Sequence, residues 1–354
     1  MNPILVEVYR GGLLESFHRG VVCIVNQQNE IVFSVGDTEQ LCYPRSAMKL
    51  LQVIPLIVNG GIEKFNFTLE EIAVMCGSHN GESEHLRVVN AILQKIGLSP
   101  DNLNCGPQYP SSKKDANELI KADVKPHHIH NNCSGKHAGM LATCVLMNWP
   151  TEDYINPNHP LQKAIKAVCA LMYEFPEEQM ITALDGCSAP IFSVPIKNQA
   201  IAYKNLITIN HLPHAVKAAC EVVVKAVSEY PFMVAGSKRY CTDLMQITAP
   251  EIIGKTGAEG IFCMTFTKQK LGVCIKIDDG KMLPQYNVAQ ALVNASGLFS
   301  TIDLAPLQHH LQAHITNFNK LTTGEIKVSE TLLKQLETLK IGWEESIHIV
   351  LQNT

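Results

Sequence analysis

The chain has 354 residues and a formal net charge of −4, long enough to bury a sizeable core. With 46% hydrophobic and 18% charged residues it is neither a disordered chain nor, lacking basic stripes, suited to nucleic acid or an anionic membrane. No apolar run reaches the roughly 20 residues of a membrane span, and MNPILVEVYRGGLLES lacks the basic start and apolar stretch of a secretory signal.

The first 37 residues read as strands: ILVEVYR, GVVCIVNQ and EIVFSVG are β-branched runs separated by polar turns. From Ser46 the pattern turns helical through SAMKLLQVIPLIVNGG, with Pro55 expected to kink it and Gly-Gly to stop it. FTLEEIAVMCG carries a Thr cap with Glu three residues on, the capping-box pattern. SEHLRVVNAILQKIGL is an amphipathic helix with a Ser cap and a Gly stop. Residues 99–132 are rich in Pro, Asn, Lys and His and read as a long loop with one short helix near Asp115–Ala122, a size of loop that is usually functional. Helices resume at HPLQKAIKAVCALMYEF and PHAVKAACEVVVKAVSEY. GIFCMTFTKQK and LGVCIKIDDG predict a hairpin, and VAQALVNASGLFS a last helix. Strands at both ends with helices between predict an α+β fold, with one mainly antiparallel sheet from N- and C-terminal strands, and a helical insertion within a single domain, 1–354.

The twelve cysteines are mostly set in apolar segments such as AVMCGS and KAVCALM. That pattern predicts reduced, buried thiols in a cytoplasmic protein rather than a disulfide framework. Cys133 and Cys187 differ. They stand in polar, small-residue settings, NNCSGKHAGM and DGCSAP, that read as turns. Two thiolates with a nitrogen ligand could hold zinc, and His127, His128, His130 and His137 are near in sequence; a packed turn with two reduced thiols is the alternative.

Ser46-Ala-Met-Lys49 places an amine and a hydroxyl on one helix face, where a neutral lysine could activate the serine as a nucleophile. Alone it reads more readily as a helix cap. Ser78-His79-Asn80 and then Lys255-Thr256-Gly257 follow in order. Ser-x-x-Lys, Ser-x-Asn, Lys-Thr-Gly is the element order of serine acyl-transfer sites in penicillin-recognising enzymes. A polar turn, Tyr230 to Arg239, adds cations that could receive a carboxylate or complement a helix C-terminus.

PRSAMKLLQ, CGSHNGE, NNCSGKHAGML, LDGCSAPIF and KTGAEG together resemble the Rhizobium-type L-asparaginase family, often called asparaginase II. These motifs run to the hairpin after Lys255, with none beyond about residue 285. The resemblance implies a serine β-lactamase-like fold, also similar to that of bacterial glutaminases, a homodimer, and hydrolysis of L-asparagine to L-aspartate and ammonia. It implies Ser46 as nucleophile with Lys49 as base, Ser78 and Lys255 as a second Ser–Lys pair, and one zinc per chain on Cys133, Lys136 and Cys187. Residue chemistry alone favours His137 over Lys136 as third ligand, because an amine must be neutral to ligate. Under the resemblance His137 and Asp185 line the substrate pocket, with Arg45 and Asn80 as further contacts. The alternatives are a β-lactamase- or peptidase-like serine hydrolase and a non-catalytic zinc- or amino-acid-binding protein on the same scaffold.

Overall fold

The computed structural model describes residues 1–208, 212–299 and 302–339, and these divide into two compact units. The first, Met1–Cys42, Pro195–Lys204 and Asp243–Thr354, is built on an eight-stranded sheet. Its strand order is 314–316, 322–328, 4–10, 13–25, 271–277, 261–266, 252–257, with 31–35 paired to the strand 13–25. All these pairings are antiparallel, as the α+β expectation requires. N-terminal strands lie beside C-terminal ones because Leu13–Val25 is long enough to serve two neighbours. Its first half pairs with Ile4–Arg10 and its second half, Gly20 to Val25, with Leu271–Ile277. That strand begins earlier than its β-branched core suggests, since the Gly11-Gly12 turn leads straight into Leu13.

The hairpin Ile261–Phe266/Leu271–Ile277 forms as expected. The helix after it spans Met282–Ala295 and covers this sheet through Val288, Leu292 and Val293. Ser300, the end of the VAQALVNASGLFS segment, lies outside the described residues.

The second unit, Tyr43–Val194 and Asn205–Thr242, is helical. The run from Ser46 is broken into a 3-10 turn Arg45–Met48 and the short helices Lys49–Gln52 and Ile54–Val58, with Pro55 in the first turn of the last. Thr68 and Glu71 cap Leu69–Met75 reciprocally. The next helix is Ser83–Lys95, but its cap is Glu82, not Ser83, and the Glu82 N–H donates to His85 Nδ1. The short helix in the long loop is Lys113–Lys121. Pro160–Tyr173 and His214–Glu229 follow where the sequence places them.

The sequence reading misses several elements, among them the helices Ile196–Asn205 and Tyr240–Thr248 and the strands His314–Thr316 and Thr322–Val328; one of those missed bears on the site. Ser134–Met147, read as turn around Cys133, is a buried helix. Its glycines permit close packing against Leu69–Met75 rather than a reversal of the chain. A Cβ on Gly135 would lie 2.3 Å from the Val74 carbonyl oxygen. Gly139 faces the Met75 side chain, with Cγ 3.0 Å from such a Cβ. Backbone cannot yield as a thioether can. Gly135→Ala is therefore expected to destabilise by about 2–3 kcal/mol through overpacking. Gly139→Ala should change stability by less than about 1 kcal/mol, because its clash is partly offset by better helix propensity. Urea unfolding of both variants checks this, and equal losses would contradict it.

Candidate active site

Lys49 organises the helical unit. It is 1% exposed, and an ammonium taken out of water needs close acceptors. It finds three: Gly77 O at 2.8 Å, Ser78 Oγ at 2.8 Å and Cys133 Sγ at 3.1 Å. Helical spacing pairs Lys49 with Ser46, whereas tertiary packing places the Ser78 hydroxyl against it. Ser46 is half-buried in the 3-10 turn. Arg45, just before it, has a left-handed backbone at φ 50°, a conformation that costs a residue with a Cβ about 1–2 kcal/mol.

Ser78-His79-Asn80 is a rigid wall. The Ser78 N–H donates to Val234 O at 2.8 Å and the His79 N–H to Asn132 O at 3.1 Å. Asn80 donates through Nδ2 to Glu82 and to the Ser237 carbonyl, and its Oδ1 accepts from Arg239 at 2.9 Å. Of the cations in the Tyr230–Arg239 turn, Arg239 is thus the one that reaches this wall. The sequence suggested a cation there but not its partner.

Around Cys133 the second constellation assembles. Lys136 Nζ lies 2.9 Å from Cys187 Sγ, and Arg45 Nε lies 2.7 Å from Asp185 Oδ1. Cys187 stands in the turn of the short hairpin Thr182–Leu184/Pro190–Phe192. A hydrogen bond from Cys133, and then the Lys136 charge, hold the Cys187 thiol well below its ordinary range, while donating that bond keeps Cys133 protonated. Burial opposes charge on Lys136, but the sulfurs of Cys187 and Cys133 outweigh it and raise its pKa. His137 is fully buried behind Cys187. Burial pushes its pKa down to about 4, Nδ1 pairs with Tyr154 Oη at 2.7 Å, and Cys187 is its other polar neighbour. His127 and His130 instead bond within their own loop, to Asp101 and to each other.

Two thiols, an amine and an imidazole are thus gathered in one buried place; thiolates and imidazole are zinc donors, whereas Lys136, whose pKa is raised, would first have to give up its proton. Lys255 belongs to the sheet unit. It lies on the strand Ile252–Gly257, buried, with Nζ donating to Thr256 O at 2.8 Å.

The family whose profile this chain matches is one of hydrolases acting on amides. The L-asparaginase II family profile matches residues 6–328, to the end of the strand Thr322–Val328, and the chain belongs to that family. A comparison with curated proteins gives no match. Among solved structures, a beta-lactamase from Mycobacterium bovis is 12% identical, with 78% of this chain and 94% of that chain covered at a TM-score of 0.40. D-alanine carboxypeptidase AmpC from Burkholderia cenocepacia is 12% identical, with 75% and 90% covered at a TM-score of 0.36. Among the described residues no helix is long and apolar enough to cross a membrane.

Beneath the wall, His79 and His85 stack with ring centroids 4.8 Å apart. His79 Nδ1 accepts from the Gly81 N–H and its Nε2 meets Ser134 Oγ, while His85 Nε2 donates to Phe232 O. Burial, then the neighbouring His85, hold the His79 pKa well below its ordinary 6.5, and burial lowers that of His85. The unfolded chain therefore binds protons here that the folded one refuses. This contribution to stability is complete above pH 6.5 and is lost as pH falls through that value toward the depressed folded pKa values. Urea unfolding should show stability falling from about pH 7 to about pH 5, with a shallower slope in His85→Gln. A flat wild-type profile would contradict it.

Proposed function

We propose that the chain is an L-asparaginase, converting L-asparagine to L-aspartate and ammonia through a serine acyl-enzyme. The observation that carries the reading is the buried Lys49 Nζ 2.8 Å from Ser78 Oγ, in a member of the L-asparaginase II family. Ser46, the more accessible serine, is the nucleophile. Its Oγ attacks the amide carbon, and its proton passes over the Ser78 hydroxyl to the Lys49 amine, a base only in its neutral form. Collapse breaks the C–N bond, the proton goes to the nitrogen, and ammonia leaves. Water then attacks the ester along the same proton path and releases aspartate. Backbone N–H groups, that of Ser46 among them, meet the oxyanion. Lys255 keeps the catalytic role that the resemblance gives it.

The Arg45–Asp185 pair suits an amino-acid substrate. Asparagine carries an α-carboxylate and an α-ammonium, so it can replace each partner of that ion pair with an opposite charge of its own. Such an exchange leaves no charge unpaired and fixes the amide against Ser46. Zinc is proposed on Cys133, Cys187 and Lys136, with His137 behind them. When bound it would supply a positive charge that orients an oxygen of substrate or water. A cytoplasmic homodimer belongs to the same reading, supported by the family and by twelve free thiols.

Ammonia release from asparagine, glutamine and a chromogenic β-lactam, assayed side by side, tests this reading, with asparagine expected to be preferred. Ser46→Ala should lower kcat by about a thousandfold or more, because nucleophile and base act as a unit. Retention of a tenth of wild-type activity would move the nucleophile to Ser78. The double variant Cys133→Ser/Cys187→Ser should lose its zinc, and raise KM for asparagine before kcat falls. Fresh wild-type protein without zinc would remove the metal from the reading.

A further inference from the structure

The sheet unit holds a second gathering of metal-ligating side chains, made of Asp243 on the helix Tyr240–Thr248 and the adjacent His309 and His310 of the 3-10 turn Ala305–His310. Consecutive residues of a 3-10 helix point about 120° apart, yet these two imidazoles converge, with ring centroids 3.8 Å apart. His310 Nε2 lies 2.7 Å and His309 Nε2 3.5 Å from the same oxygen, Asp243 Oδ2. All three donor atoms fall within 4.8 Å of one another.

We propose that Asp243, His309 and His310 form a metal site for a divalent ion of the zinc type, with an open fourth position. Three donors at zinc–nitrogen and zinc–oxygen distances around a tetrahedral ion stand about 3.3 Å apart. The His309–Asp243 separation already meets that spacing, and the His310–Asp243 contact must open by about 0.6 Å. Orientation supplies the second argument. His309 Nδ1 donates to the Pro306 carbonyl, which in the neutral ring leaves Nε2 as a lone pair facing a carboxylate oxygen. Two acceptors so placed repel, and a cation between them converts the repulsion into ligation. The Pro306 contact also fixes the ring, as outer partners of metal-bound histidines do. His309 is 55% and Asp243 23% exposed on their side chains, so an ion and its water can enter. The ion would clip the 3-10 turn to a helix more than 60 residues earlier in the chain, a cross-link that stabilises the fold by mass action.

The site is independent of the proposed function and is tested apart from it. Chelator-stripped full-length chain is titrated with Zn²⁺ by calorimetry, and bound metal is counted after desalting. His309→Ala/His310→Ala should bind one zinc fewer than wild type and show a smaller rise in Tm on adding zinc. Cys133→Ser/Cys187→Ser should retain one zinc. With Co²⁺ as probe, the thiolate charge-transfer band should persist in the histidine variant, so its lost ion is the one without sulfur ligands. Unchanged stoichiometry in His309→Ala/His310→Ala overturns the proposal even if the cysteine variant does not fold. It would leave an imidazole–carboxylate contact and nothing more. Should wild type bind a single zinc that only the histidine variant loses, this site stands and the cysteine site falls.

Discussion

A buried lysine sets the terms for the helical unit. Removing an unpaired ammonium from water costs several kcal/mol, and only well-placed acceptors offset that cost. Lys49 takes its acceptors from two separate segments, the Gly77-Ser78 loop and Cys133 at the start of Ser134–Met147. Both must come within about 3 Å of one amine. The loop is therefore tied to Val234 and Asn132 through backbone bonds, and the Ser134–Met147 helix must sit close to Leu69–Met75. Gly135 is the residue that permits this, since any side chain there would meet the Val74 carbonyl. Packing and chemistry share one constraint.

Beyond the protonated Cys133 that Lys49 meets, the charges alternate. Lys49 meets Cys133, Cys133 donates to Cys187, Cys187 pairs with Lys136, and Asp185, two residues before Cys187, pairs with Arg45. An alternating set is stable because each buried charge is answered locally. It also responds to charge as a unit. An ion pair facing a zwitterion can be exchanged for two new pairs at little electrostatic cost, whereas a substrate lacking either α-group would strand one partner. Asp185, with its side chain only 9% exposed, would bear most of that penalty. Selection of amino-acid amides over plain amides follows from this arrangement under the asparaginase reading.

Local physics was legible in the sequence, and tertiary reasons for local residues were not. The Thr68–Glu71 box, the Pro55 break, the short helix near Asp115 and the antiparallel hairpin all depend on neighbours a few residues away. Ser134–Met147 was missed because Gly135 and Gly139 lower local helix propensity by about 1 kcal/mol each, while their benefit comes from Val74 and Met75, some sixty residues distant. The site shows the same division. Cys133 and Cys187 were marked by their unusual polar setting, Lys136 by the family motifs alone, and the structure brings the three close together. Helical spacing pointed Lys49 to Ser46, yet three-dimensional packing supplied Ser78. The cluster Asp243, His309 and His310 left no mark in the sequence, since an adjacent histidine pair carries no metal spacing of its own.

The long loop before Cys133 shows how part of a polar, proline-rich stretch can be structural. Asn131 donates through Nδ2 to the carbonyls of Cys105 and Gly106, at 2.9 and 3.0 Å, and its Oδ1 accepts the Cys133 N–H at 2.8 Å. One buried amide thus fastens both ends of the excursion and satisfies a donor at the start of the Ser134–Met147 helix. Tyr154 closes the other side, accepting from the Asn104 N–H at 2.8 Å while its hydroxyl holds His137 Nδ1. Through Asn131 and Tyr154 the loop fixes Cys133 and His137, three residues before Lys136 and one after it. These polar contacts help hold the thiol cluster, whose cysteines are free.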